Sequence, residues 1–381
     1  MAGKSNAVDL AQADALALRM ASLLLADRPG GAADRPADAA GVVTWFGAMQ
    51  AQDAASVAWS LGARLPGYTA ADVQAALERR EALRTWPMRG TVHLVPARDA
   101  RWMLDLMGGR ALAGATARRA HLGLTEEIAE RAVKVLGGAL AGGGRLTRAE
   151  CLAALADAGV QCSGQLGYHL LWYASQRGVT CIAPNRGTEQ TFVLLDEWAP
   201  DPHLPDRDEA LATIVLRYFR SHGPATRQDF ARWTGLTATD AKRGVAATGD
   251  DLTTVRVDGQ EMIVHRALLD AYRAGPTAGG QADILALPGF DEYMLGYRDR
   301  SLMLAAEHMQ AIVPGGNGVF QPTIVRGGRV IGTWKRTAAK TRIAVAVRPL
   351  VPVGPSDRAR IEDAFKPYAY FTGLPVQVRW S

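Results

Sequence analysis

One pattern occurs three times along this 381-residue chain: segments of helical apolar spacing, then two short β-like runs. The spacing predicts helices over 8–26, 39–49 and 69–80, followed by strands over 83–86 and 91–95. It predicts helices over 125–141, 147–158 and 163–176 before strands over 179–182 and 191–195. A third set has helices over 207–222, 226–233 and 237–247, then strands over 252–257 and 261–264 joined by the turn pair Asp258-Gly259. Local capping chemistry agrees. Thr125 and Thr147 sit at N-cap positions, and Glu150 completes a capping box with Thr147. Thr226 with Asp229, and Thr237 with Asp240, place Asp where that box usually has Glu or Gln. Three helices and a hairpin is the winged-helix plan. Its recurrence at roughly 80–100 residues marks an array of small units, not a short-period solenoid.

The last quarter has a different texture. Short β-like runs fall at 284–287, 310–313, 323–325, 330–334, 342–349 and 377–380, and one helix is expected over 356–370 with Ser356 as its N-cap. Gly327-Gly328 is a hairpin turn, with Arg326 and Arg329 at its tip and Lys335-Arg336 at its base. The region reads as a small β-barrel-like domain. The α+β architecture expected is therefore three tandem winged-helix units, at 1–120, 121–204 and 205–280, followed by this domain at 281–381.

Charge points to a polyanion. Formal net charge is only +5, but the 106 residues from 276 onward hold 13 basic and 8 acidic side chains, the whole excess. Between Glu307 and Asp357 seven basic residues and no acidic ones occur. Other classes are disfavoured. No apolar run approaches the roughly 18 residues of a membrane span, and the N-terminal leucines are interrupted by charge, unlike a signal peptide. The three cysteines include no C-x-x-C, and the seven histidines show no ligand spacing, so neither a disulfide framework nor a metal site is expected. Nucleotide-binding loops and a nucleophile elbow are absent, and no cofactor is expected. The chain reads as a cytoplasmic, nucleoid-associated monomer.

Candidate chemistry lies at Gln50-Ala51-Gln52-Asp53. Amides at i and i+2 face one side only in an extended backbone, and each offers both a donor and an acceptor. Two of them can hold one water in a defined direction; a polar helix end is the other reading. Arg89, Thr91 and His93 alternate along the strand expected there and so share a face. That face either lies near a scissile nucleotide, with Arg89 on a phosphate and His93 on the lesion or water, or holds a satisfied histidine and an exposed arginine. Trp45, Trp59, Trp86 and Trp102 are expected in the core.

Longer segments carry a resemblance. Met49–Ala54, Thr85–Val95 with its Trp86-Pro87-Met88-Arg89-Gly90-Thr91-Val92-His93, Leu287–Arg300, and Asn317–Phe320 followed by Gly332-Thr333-Trp334 resemble the AlkZ family of winged-helix DNA glycosylases. The likeness covers nearly the whole chain. It implies a C-shaped concave DNA-binding surface, excision of bulky alkylated purines and unhooking of interstrand crosslinks in double-stranded DNA. It also implies self-resistance to a genotoxic natural product. The family's catalytic motif is Gln, a hydrophobic residue, then Gln or Asp. Gln50-Ala51-Gln52 matches the Gln type, which makes Gln50 and Gln52 the catalytic pair. Asp53, with Arg89, Thr91 and His93, would support them, and Arg326, Arg329, Lys335 and Arg336 would contact DNA. The Asp291, Glu292, Tyr293 and Arg298 signature is expected to build an interdomain junction.

Chemistry fits that pair. An N7-alkylated purine is cationic and leaves as a neutral base, so neutral amides that orient water and stabilise an oxocarbenium-like sugar suffice. A lyase needs an amine nucleophile. No Lys occurs between Lys4 and Lys134, which favours a monofunctional hydrolase. The alternative from another class is a non-catalytic winged-helix DNA-binding protein or regulator.

Overall fold

Asp38 opens the helix Ala39–Phe46 by accepting the Gly41 N–H, and Gly47, at φ +81°, closes it. The left-handed turn at Gly47 sends the chain into an extended stretch instead of continuing the helix expected to residue 49. The computed structural model describes residues 7–27, 35–275 and 284–381. Lys4, and all but Gly275 of the loop read at 275–280, lie outside them. The chain divides into two compact units, one made of Met1–Val73 with Leu211–Ser381 and the other of Gln74–Ala210.

In the first unit the N-terminal expectation changes. Val8–Leu10 is a strand, paired in parallel with Leu252–Val257, and the helix occupies only Gln12–Ser22. The non-local partner overrides helical spacing. Leu252–Val257 turns through Asp258-Gly259, both at positive φ, into Gln260–His265. Ahead of that hairpin come the helices Arg207–His222, Arg227–Thr234 and Ala238–Ala247, the last two opened by capping boxes at Thr226 and Thr237.

The C-terminal region forms an open five-stranded sheet and not the expected barrel. Its order is Ile284–Leu287, Thr323–Arg326, Arg329–Ala338, Ile343–Pro349 and Val376–Trp380, and the first and last strands are unjoined edges. The final pair is parallel, which requires a crossover. Two helices supply it, Pro355–Asp363 and Lys366–Thr372, in place of the single helix expected. Pro367 lacks an amide hydrogen, so the Asp363 carbonyl has no i+4 donor and the first helix ends there, while proline is tolerated in the first turn of the second. Gly354, not Ser356, is the N-cap. The run 310–313 is helical over Met309–Ile312. Trp334 pins the crossover to the sheet: its Nε1 donates to Leu287 O, and its ring meets Phe365 and Tyr368 edge-on.

In the second unit five strands run in the order Thr91–Pro96, Ala82–Met88, Thr180–Arg186, Glu189–Leu194, Leu146–Thr147, all antiparallel. The helices Glu126–Leu140, Arg148–Asp157 and Gln165–Gln176 precede the hairpin of the third and fourth of these strands. Thr147 and Glu150 form the capping box read from sequence. Trp45 and Trp59 are buried in the first unit, and Trp86 and Trp102 in the second.

Candidate catalytic segment

After Gly47 the backbone runs extended through Met49–Gln50, with Ala51 buried behind it. Asp53 then caps the helix Ala54–Gly62, its Oδ1 accepting the Ser56 N–H at 2.7 Å. Between strand and cap the two amides close on each other. Gln50 Oε1 accepts the Gln52 main-chain N–H at 2.9 Å, and Gln50 Nε2 donates to Gln52 Oε1 at 3.1 Å. Gln50 is 7% exposed, whereas Gln52 is open to solvent. The pair keeps unused capacity: a second lone pair on each oxygen, the remaining Gln50 Nε2 hydrogen and the Gln52 Nε2 hydrogens.

A buried carboxylate fixes this segment from behind. Glu292 Oε1 accepts the Gln50 main-chain N–H at 2.8 Å and Oε2 accepts Trp233 Nε1–H at 2.9 Å, with His222 Nε2 3.5 Å from Oε2. Its neighbour Asp291 takes a bidentate bond from Arg64, at 2.8 and 2.9 Å, and accepts from Ser60 Oγ and the Tyr293 N–H. Burial opposes the Asp291 charge, but Arg64, Ser60 and Tyr293 outweigh it and hold the carboxyl below the ordinary carboxylate range. The Asp291-Glu292-Tyr293 signature thus ties segments around residues 50–64, 222–233 and 291–293 together inside the first unit. Arg298 joins the same unit through its N–H to Asp229. Sequence alone did not reveal Glu292 as the anchor of Gln50; its place in a long recognisable signature was the available signal.

The helix that starts at Asp53 is held from its far side. Trp59 Nε1 donates to Ala286 O, and its ring packs on Tyr368 and Phe371. A Cβ on Gly62 would lie 2.5 Å from the Phe371 ring. Arg336 joins this cluster. It donates to Tyr368 Oη at 3.1 Å and approaches Asp53 Oδ1 at 3.8 Å.

The other basic positions separate from it. Arg326 pairs with Asp357 at 2.6 Å, and Arg329 donates to Gln12. Gly328 is buried against Leu16 and Met20, with its carbonyl bonded by Tyr293 Oη. The tip is docked on the helix Gln12–Ser22. Lys335 and the turn after residue 338 are exposed.

Arg89, Thr91 and His93 lie in the second unit. Arg89 and Gly90 have φ of +56° and +70°, the two central residues of a tight hairpin turn. Arg89 therefore leaves the strand, which starts at Thr91, and the three-residue alternation expected does not form. His93 is fully buried, with Nδ1 2.9 Å from Thr91 O and Nε2 3.2 Å from Arg89 Nη2. A guanidinium only donates, so Nε2 accepts and Nδ1 carries the hydrogen. Among the described residues no His, Cys, Asp and Glu cluster is arranged for a metal, and no helix is long and apolar enough to cross a membrane.

Comparison with known proteins decides the family. The model of the AlkZ-like DNA glycosylases matches residues 43–371. The chain belongs to that family. It is 31% identical over 273 residues to an interstrand DNA cross-link repair glycosylase of Streptomyces sahachiroi, covering 66% of this chain and 70% of that one. The solved structure of the Streptomyces sahachiroi DNA glycosylase AlkZ superposes with a TM-score of 0.78 at 26% identity, over 98% of this chain and 100% of that one. This AlkZ-like chain is thus a DNA glycosylase by family, with DNA as its substrate.

Proposed function

We propose that this AlkZ-like glycosylase hydrolyses the N-glycosidic bond of bulky N7-alkylated purines and unhooks interstrand crosslinks, with Gln50 and Gln52 as its catalytic pair. The reading rests on one observation: two neutral amides, hydrogen-bonded to each other, on a main chain fixed by a buried carboxylate. In the proposed step the C1′–N9 bond breaks and its electron pair neutralises the cationic purine. Water oxygen bonds C1′ and its proton passes to solvent. The free lone pairs of Gln50 and Gln52 orient that water and face the sugar cation. Asp53 serves as helix cap beside the pair. Lys335 precedes Arg336 but alternates to the opposite strand face, which keeps the reading monofunctional. The relative's name, an interstrand DNA cross-link repair glycosylase, supports crosslinked DNA as a substrate; self-resistance to a genotoxic natural product is part of the same proposal. The helix triplets followed by hairpins are read as winged-helix units that bind the duplex.

Replacing Gln50 and Gln52 together by Ala tests the site. Release of base from a duplex bearing a bulky N7-alkylguanine, measured under single turnover, is expected to fall at least about 100-fold, the scale of losing one preorganised donor. Duplex affinity is expected to stay near wild type. Undiminished release would overturn the assignment. Absence of release by the wild-type chain from adducted and crosslinked duplexes alike would favour a non-catalytic DNA-binding protein.

A further inference from the structure

The second unit contains a cavity of about 610 Å³ that the hydrolytic chemistry does not use. Its volume falls within the roughly 300–1,000 Å³ of small-ligand sites. One wall is a single helix face. Gln165, Tyr168, His169 and Trp172 stand at i, i+3, i+4 and i+7 of the helix Gln165–Gln176, and all four line the cavity. Such a face ordinarily goes to the core. Here Tyr168 is 45% exposed, and the His169 ring lies 5.0 Å from that of Trp172, tilted by 38°.

The polar lining is cationic. Arg118 donates to Gln165, and the Arg148 guanidinium sits 5.6 Å from the Tyr168 ring centroid. No carboxylate is among the lining residues. The helix has Gly164 at its N-cap and no side-chain cap; the Leu166 N–H donates to Ser163 O at 3.2 Å. His169 adds a further signal. It is 8% exposed, and its Nε2 is buried with no hydrogen-bond partner. Burial, and then Arg119 and Arg118, hold its imidazole below the ordinary range. The ring is therefore neutral at pH 7, and one nitrogen is an acceptor suited to a base edge.

We propose that this cavity binds an unpaired nucleotide, its base against Tyr168 and Trp172 and its phosphate between Arg118 and Arg148. Stacking on aromatic rings and guanidinium planes is how proteins hold unstacked bases. A wall of flat rings beside two arginines matches a planar ring linked to an anion. A lipid headgroup would leave the rings without a planar partner.

Equilibrium binding of the full chain tests this with three probes: deoxyadenosine 5′-monophosphate, a duplex with one bulged 2-aminopurine, and the same duplex with the 2-aminopurine paired. The bulged duplex is expected to bind more tightly than the paired one, with quenched 2-aminopurine fluorescence. Tyr168→Ala and Arg148→Gln, both at exposed positions, should each weaken that binding roughly fivefold or more, while Tyr168→Phe keeps it. Parallel losses for the free mononucleotide would identify a free nucleotide as the ligand, and losses confined to the bulged duplex a nucleotide within DNA. Unchanged affinity of both alanine and glutamine variants for all probes would overturn the proposal. The nucleic-acid ligand follows from the family's substrate, but base release is not the readout. A chain with no glycosylase activity can therefore pass this test, and an active one can fail it.

Discussion

The main-chain N–H of Gln50 donates to Oε1 of Glu292 at 2.8 Å, a bond spanning 242 positions of sequence. It couples the proposed hydrolytic segment to the signature in the C-terminal part of the chain. Glu292 is 1% exposed and carries two donors, Gln50 N–H and Trp233 Nε1–H. Glu292→Gln must turn an amide hydrogen toward one of them, leaving a buried donor unpaired. We expect a stability loss of about 1–3 kcal/mol by thermal or denaturant unfolding. A drop in single-turnover base release of tenfold or more should exceed what residual unfolding explains. Release at the wild-type rate in the folded variant would remove Glu292 as a positioning residue.

Asp291 gives a pH prediction. Its folded-state carboxyl sits below the ordinary range. A depressed carboxyl contributes stability that is fully present above the unfolded value, about 3.9, and is lost as pH falls through the lower folded value. Wild-type unfolding free energy should therefore decline with a steeper acid limb below about pH 4 than Asp291→Asn shows. At pH 7 the same variant leaves Arg64 buried without its counter-charge, at a cost of about 3–5 kcal/mol. Chemical denaturation at pH 7 and pH 3 checks both halves; parallel acid limbs for the two proteins would contradict the first.

Asp53 separates capping from chemistry. Asp53→Ala removes the N-cap of Ala54–Gly62 and should cost about 0.5–2 kcal/mol, whereas Asp53→Asn and Asp53→Ser should retain most of it. A double-mutant cycle with Arg336→Gln should give a coupling under about 1 kcal/mol, since both side chains are substantially exposed and 3.8 Å apart. If Asp53→Asn loses base release as severely as the double Gln50/Gln52 variant, Asp53 takes part in the reaction directly.

What was legible in the sequence was local. Thr147 with Glu150, Thr226 with Asp229 and Thr237 with Asp240 cap helices three residues away, so each box could be read from a four-residue window. The Asp258-Gly259 turn is equally short-range. Gln50 and Gln52 were identifiable as a pair because an extended backbone aligns alternate side chains. Features set by distant partners were not legible. Val8–Leu10 is a strand only because Val255–Val257 receives it. The C-terminal strands were visible as β-like runs, but period-two alternation does not say whether a sheet closes. Charge count placed Arg326 among free cations; Asp357, 31 residues on, neutralises it.

That last difference makes a prediction about DNA affinity. Arg326 is paired to Asp357, and Arg329 is tied to Gln12 beside a docked hairpin tip, whereas Lys335 is exposed and Arg336 stands beside Asp53. Each phosphate contact contributes about 0.9 to the slope of log K against log salt on duplex DNA. Lys335→Ala with Arg336→Ala should flatten that slope by about 1–2 and weaken binding at low salt, uniformly across sequences. Arg326→Ala with Arg329→Ala should leave the slope within about 0.5 of wild type. It should instead lower the melting temperature, because the first loses an ion pair and the second loosens the tip from the helix Gln12–Ser22. A salt titration by fluorescence anisotropy on one undamaged duplex distinguishes the pairs. Equal slope changes for both would show that the docked tip frees its arginines when DNA binds.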